Sequence, residues 1–371
     1  MLKRIYIDNF RCLVNFELKV DAINLFLGSN GAGKSSIFEV LQKIQLFVSG
    51  DSKIDTIFKS RDCTRWQISK IQSFELEILS HDGIYKYELG ISHENQDKCR
   101  VEYERLWLNN QLLLKFELGE VEIFKDDYSR ESQYSFNWLQ SVLPSLLPKA
   151  DNTKITCFKE RMARFIIVRV IPSLMQDESH QEETYLTSQM ENYVSWYRYL
   201  SEDQGKIAEL GSILKEVLEG FKNFKFERVG EQSLVLKLRF SGVTNNKLID
   251  YRFGELSDGQ KTLIALYTLI HCTKSEDYTI CIDEPENFLA LPEIQPWLVQ
   301  LYDLCSEGEL QALIISHHPE LINYLLASPV GYWFERQSNA PVRVKHIGSR
   351  TENSGLPVSE LVARGWLNES A

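Results

Sequence analysis

Gly28-Ser29-Asn30-Gly31-Ala32-Gly33-Lys34-Ser35 has the spacing G-x-x-x-x-G-K-S and lies between an apolar run (23–27) and a stretch of helical periodicity. Glycines at those points let backbone amides turn inward onto a polyphosphate, at a helix N-terminus that already favours negative charge. Asn30, Gly31 and Gly33 would line this cradle, followed by Ser36. Lys34 would reach the outer phosphates, and the Ser35 hydroxyl would complete a Mg2+ shell. Three further clusters could act on such a ligand. The apolar run 278–282 ends in Asp283 and Glu284, assigned respectively to the Mg2+ shell and to the general base that polarises water. Leu313-Ile314-Ile315-Ser316 is strand-like and ends at His317-His318-Pro319. Leu256-Ser257-Asp258-Gly259-Gln260 precedes an apolar-periodic helix, where Ser257 could cap the helix and the first amides could meet an anion. Taken locally, capping alone accounts for the serine, and a strand-end histidine is more often structural.

These residues need elements to hold them. Alternation over 3–7 and 16–20 leads into the strand that feeds the loop, and Ile37, Val40, Leu41, Ile44 and Phe47 form the apolar stripe of the helix leaving it. Residues 74–78 and 85–89 alternate on either side of the turn signal His81-Asp82-Gly83, and 101–108 reads as a third strand before Asn109-Asn110. Such short antiparallel strands cannot be the parallel core of a nucleotide-binding sheet, so they are expected to form a flanking sheet. Between 120 and 232, polar stretches and amphipathic helices (185–200 and 206–218) predict an inserted, mainly helical region, a lid or partner-binding module. Residues 234–240 and 248–253 alternate again as a pair, and from Glu255 strand and helix alternate as in a parallel sheet. The expected class is α/β: a phosphate-loop head with a mixed core sheet, helices and a flanking antiparallel sheet. It would be built from 1–119 and 233–371 around the insertion.

Composition narrows the function classes. The 371 residues are 43% hydrophobic and 25% charged, which is ordinary for a globular protein. A net charge of −11 argues against a surface that grips nucleic acid throughout, though not against a local patch. Lys154, Lys159, Arg161, Arg164 and Arg169 could be such a patch; a solvated face is the commoner explanation. The aromatics in 193–197 read as core or partner interface rather than a base-stacking platform. The seven cysteines show no C-x-x-C pair, so neither a disulfide framework nor a zinc site is indicated. Without a signal-peptide pattern or a membrane-length apolar run, a cytoplasmic protein with no membrane partner is expected.

The order of these motifs resembles the ATP-binding-cassette ATPases, whose signature LSGGQ lies upstream of the second acidic motif, as Leu256–Gln260 does here. That resemblance implies that Ser257, Gly259 and Gln260 complete a nucleotide site on a second subunit. It also implies that His317, with His318 as the alternative, contacts the γ-phosphate. Asn9-Phe10-Arg11 is similar to the N-F-R of chromosome-maintenance and RecF-type ATPases, in which the arginine approaches the nucleotide; a charged strand end is the plain alternative. Asp-Glu-Pro-Glu-Asn (283–287) resembles stand-alone AAA-family ATPases related to the overcoming-lysogenization-defect nucleases. The chain departs from that group at 288–292, which lacks its histidines, and at Asp258, which replaces a signature glycine. The family's lobe-linking, metal-coordinating glutamine would be Gln67 or Gln72, with Gln72 preferred. No D-x-D cluster follows His318, so the chain is not expected to be that nuclease, which carries a Toprim domain there.

The implied function is an ATP hydrolase using ATP and Mg2+, dimerising head to tail around two nucleotides. Its output would be coupled to a separately encoded nuclease or other effector, in nucleic-acid transactions or antiviral defence. An ATP-gated scaffold with negligible turnover and a DNA-repair ATPase are the alternatives. A transporter motor fits the N-F-R opening and the long insertion poorly.

Overall fold

Residues 1–95, 98–242, 247–325, 331–347 and 359–360 are described in the computed structural model. They divide into two compact units, the first holding 1–165 and 331–347, the second 166–325 and 359–360. The division at 165 falls inside the segment 120–232. Most of the tail beyond 347, expected to lack an acidic cluster, lies outside the described residues.

In chain order the first unit contains β1 (Leu2–Asp8), β2 (Phe16–Lys19), β3 (Ile23–Gly28), α1 (Lys34–Ser49), α2 (Ile54–Ile57), β4 (Ile71–Ser80), β5 (Gly83–Asn95), β6 (Lys98–Leu108), β7 (Gln111–Glu117), β8 (Glu120–Phe124), β9 (Arg130–Ser135) and α3 (Thr153–Ala163). From the boundary onward come β10 (Phe165–Val168), β11 (Glu178–Ser179), α4 (Tyr193–Leu200), α5 (Gln204–Val217), β12 (Phe221–Val229), β13 (Ser233–Ser241), β14 (Leu248–Arg252), α6 (Asp258–Thr273), β15 (Thr279–Asp283), α7 (Leu291–Ser306), β16 (Gln311–Ile315) and α8 (Pro319–Leu325). Two further strands, β17 (Gly331–Glu335) and β18 (Arg343–Ile347), belong to the first unit.

In the first unit the expected flanking sheet is present and larger than the alternation suggested: eight strands in the order β2-β1-β4-β5-β6-β7-β8-β9, every pairing antiparallel. Asn109 and Asn110 both adopt positive φ between β6 and β7, as a tight hairpin requires. The sheet buries Phe74, Leu76 and Ile78 on one face. Edge-on and tilted ring contacts run from Phe47 on α1 through Phe58 to Phe74 and Phe10, at centroid separations of 6.5, 5.4 and 6.1 Å. Each such buried ring contributes about 1.5–3 kcal/mol of apolar burial, which fixes α1 on the sheet. β3 is buried at every position and pairs in parallel with β17. A strand covered on both faces has no polar face to alternate with, hence the continuous apolar run 23–27.

The second unit places β10, β15 and β16 side by side, β15 and β16 in parallel with Asp283 opposite Ile315. A second sheet runs β11-β13-β12, and β14 pairs with β13 as the sequence suggested. Helix α6 is buried on all sides from Lys261 to Thr273. The helix expected over 185–200 starts only at Tyr193. Its N-terminal half is instead a loop tied by Asn192, whose amide oxygen accepts from the Thr187 N–H (2.9 Å) and whose amide nitrogen donates to the Tyr185 carbonyl (2.9 Å). Side-chain bonds of this kind compete with the helix ladder. The aromatics of α4 are core: Tyr193 stacks on Phe253 at 5.1 Å and Tyr197 meets Phe224 at 4.7 Å. All seven cysteines are free thiols.

Candidate nucleotide site

The phosphate loop lies in the first unit. Gly28, Gly31 and Gly33 have φ of 140°, 78° and 96°, a region that side chains with a Cβ enter only with strain. Space excludes a side chain as well: a Cβ on Gly28 would stand 2.2 Å from the Phe334 carbonyl oxygen, and one on Gly33 2.9 Å from Val342. α1 begins at Lys34 after Gly33, an N-cap residue that has no side chain to offer the first amides. Asn30, Gly31 and Ser35 are exposed, whereas Lys34 is buried along the loop and donates to the Gly28 and Ser29 carbonyls at 2.7 and 3.1 Å. Ser36 is buried, and its N–H closes onto the Gly33 carbonyl at 3.2 Å. Arg336 reaches the Gly31 carbonyl at 3.5 Å while covering the Trp66 ring, and neither residue stood out in the sequence.

The neighbouring Asn9-Phe10-Arg11 is built into the unit. Asn9 is buried, donating to the Ser69 and Ile71 carbonyls and accepting from Thr64. Arg11 pairs with Glu39 at 2.6 Å and approaches Asp62 at 3.7 Å, so its guanidinium is engaged by α1 and the segment after α2. Of the two glutamines considered, Gln72 is fully buried: its amide nitrogen donates to the Asn9 carbonyl (3.1 Å) and its oxygen accepts from His93 (2.9 Å). Those bonds give Gln72 a structural task inside the first unit. Gln67 has a buried amide oxygen without a hydrogen-bond partner. Burial holds His93 below its ordinary pKa, against a smaller opposite push from Asp62.

The remaining candidates lie in the second unit. Asp283 ends β15, and Glu284 follows at φ 55° with its N–H on the Ile315 carbonyl at 2.9 Å. A glutamate in the left-handed region is strained, and such outliers cluster at functional sites. Oε2 of Glu284 accepts from Asn287 at 3.0 Å and from Arg169, just beyond β10, at 2.5 Å. Glu286, 9% exposed, accepts from the Ser316 hydroxyl (2.7 Å) and the His317 N–H (3.2 Å) through Oε1. Thus the Glu286 carboxylate holds the residues after β16. His317 is exposed and His318 half-buried. Ser257 caps α6 in a reciprocal box, its hydroxyl accepting from the Gln260 N–H (3.2 Å) and the Gln260 side chain accepting from the Ser257 N–H (3.1 Å). The capping reading is therefore realised, and Ser257 remains exposed. A Cβ on Gly259 would come within 3.0 Å of the Phe288 carbonyl, so the signature lies against the acidic loop.

Arg169, Glu286 and Asn287 escaped functional assignment. Of the basic stretch that includes Arg169, Lys154 and Lys159 bond backbone carbonyls, Arg161 is buried over Phe165, and Arg169 holds Glu284. The available signal was positional, a cation just past an apolar run and a second glutamate two residues after the first.

The fold is that of an Smc head domain. It matches the Smc head solved bound to the C-winged helix domain of ScpA, with TM-score 0.54, 12% identity and coverage of 95% of this chain and 99% of that one. The SMC head domain from Thermotoga maritima gives TM-score 0.48 at 12% identity, covering 93% of this chain and 98% of that one. The chain belongs to the AAA family described as "AAA domain, putative AbiEii toxin, Type IV TA system", whose profile matches residues 23–323. No curated protein matches the sequence. Among the described residues, no helix is long and apolar enough to cross a membrane.

Proposed function

We propose that the chain is a Mg-ATP hydrolase whose turnover gates a separate effector. The observation that carries this reading is the loop itself: three left-handed glycines, a glycine N-cap to α1, an exposed Ser35 and a lysine laid along the loop carbonyls. These fit a polyphosphate, and no side chain could replace the cradle at Gly28 or Gly33. On binding, Lys34 leaves the carbonyls for phosphate oxygens. Ser35 and Asp283 are the residues that would hold Mg2+, which supplies charge neutralisation at the phosphates. Glu284 takes the proton of the attacking water, and His317 senses the γ-phosphate. Gln67, with its open oxygen, is the better lobe-linking glutamine than Gln72.

Ser257 and Gly259 of one copy would complete the site of another, giving a dimer closed by ATP and opened by hydrolysis. A nuclease or toxin encoded separately is the proposed effector, with antiviral defence the setting; the family's description as a toxin of a toxin–antitoxin system supports an effector-linked role. Glu284→Gln tests the chemistry: phosphate release should fall by about two to four orders of magnitude while ATP binding persists. Equal near-zero rates in both proteins would sink the hydrolase reading. Sizing the same variant with and without ATP tests closure, and a monomer under both conditions contradicts the role of Ser257.

The ATP-gated scaffold remains the second reading for one reason. The carboxylate proposed as base is already held by Arg169 and Asn287.

A further inference from the structure

We infer that Arg169 is a positioning residue that latches the Glu284 carboxylate and slows hydrolysis until it lets go. This inference rests on the reading of Glu284 as base. Arg169 Nη2 stands 2.5 Å from Glu284 Oε2, and the same oxygen accepts from Asn287 Nδ2 at 3.0 Å. An oxygen accepting from two donors has both lone pairs occupied, leaving only Oε1 for a water. The backbone offers no slack, because Glu284 is pinned at φ 55° by its N–H bond to Ile315. The direction of the carboxylate is therefore set by these two side-chain donors.

Hydrolysis asks something different of this group. As the water oxygen bonds to the γ-phosphorus and the bond to the ADP oxygen breaks, the water proton must land on the carboxylate. Proton uptake at Oε1 leaves Oε2 only a neutral acceptor, so each turnover weakens the Arg169 contact from an ion pair to an ordinary hydrogen bond. The pair is built to break: the Arg169 side chain is 51% exposed and that of Glu284 26%. Exposed pairs of this kind are weak and screened by salt. Arg169 also lies 115 residues from Glu284 in sequence, just beyond β10, so whatever moves the segment after that strand moves the latch.

The experiment compares ATP hydrolysis by the full chain as wild type, Arg169→Gln, Arg169→Lys, Glu284→Gln and the double variant Arg169→Gln/Glu284→Gln. Arg169→Gln should raise kcat roughly two- to five-fold with KM for ATP unchanged, the range expected when a half-exposed ion pair is lost. Arg169→Lys, which keeps the charge, should stay near the wild-type rate, and the double variant should be as inactive as Glu284→Gln. Added salt should lift the wild-type rate towards that of Arg169→Gln. A folded Arg169→Gln protein with kcat at or below wild type overturns the latch, as does a gain that survives in the double variant. If Glu284→Gln is inactive while Arg169→Gln equals wild type, only the latch falls. If Glu284→Gln hydrolyses ATP as fast as wild type, the base assignment fails and takes the latch with it. No release by wild type or Arg169→Gln overturns both.

Discussion

At the end of β3 the functional atoms are backbone amides, and what shapes them is the absence of side chains at Gly28, Gly31 and Gly33. At the end of β15 they are side chains, and what shapes them is other side chains: Arg169 and Asn287 on Glu284, and Ser316 on Glu286. Both follow buried strands with parallel partners, so the elements delivering them are alike. The difference is in what can change without unfolding. A cradle of glycine conformations has one workable shape, whereas hydrogen-bonded carboxylates can exchange partners. The first arrangement suits a binding site that must be ready before the ligand comes. The second suits a catalytic group whose readiness is controlled.

The largest effect should come from filling the cradle. Gly28→Ala puts a Cβ 2.2 Å from a backbone oxygen at a φ of 140° and should cost about 3 kcal/mol, with ATP binding lost in whatever folds. Urea denaturation and nucleotide titration read the two consequences. A variant of wild-type stability that still binds ATP would break the contrast, because the loop would then have the adaptability assigned to the acidic end. On the other side, Glu286→Ala strands the Ser316 hydroxyl and the His317 N–H and should cost about 1–3 kcal/mol. Glu286→Gln keeps an acceptor oxygen and should lose less. Equal losses in the two variants would mean that volume, not these hydrogen bonds, holds the segment after β16.

The same difference governs what the sequence revealed. The loop was legible because its requirements are local: each glycine answers for its own φ, and the flanking strand and helix announce themselves by burial pattern. β4, β5 and β6 were legible from alternation and from turn residues whose positive φ the structure bears out at Asn109 and Asn110. β9 was not, since it is a largely exposed polar edge strand with no apolar face to alternate. The overlong helix at 185–200 shows the converse, a helical period interrupted by Asn192, whose side chain turned back on the preceding loop. Arg169 could not be assigned to Glu284 from sequence, because nothing local distinguishes a cation that will meet a carboxylate 115 residues away.

The smallest effect probes whether the first unit too depends on a wired polar point. His93, 6% exposed, donates to Gln72 from Nε2, and Gln72 in turn holds the Asn9 carbonyl beside Arg11. Burial depresses the folded-state pKa of His93 below its ordinary value of 6.5. The unfolded chain therefore takes up a proton near pH 6.5 that the folded chain accepts only at lower pH. The stability linked to His93 is complete above that value and is lost as pH falls towards the folded pKa, with a slope of at most about 1.4 kcal/mol per pH unit. Thermal melts of wild type and His93→Gln between pH 8 and 5 isolate the contribution: the wild-type curve should steepen below 6.5, and the variant should show less of that acid loss. Parallel curves would mean that Gln72 and Asn9 hold without His93. The polar support under the first unit would then be as insensitive to protonation as the glycine loop.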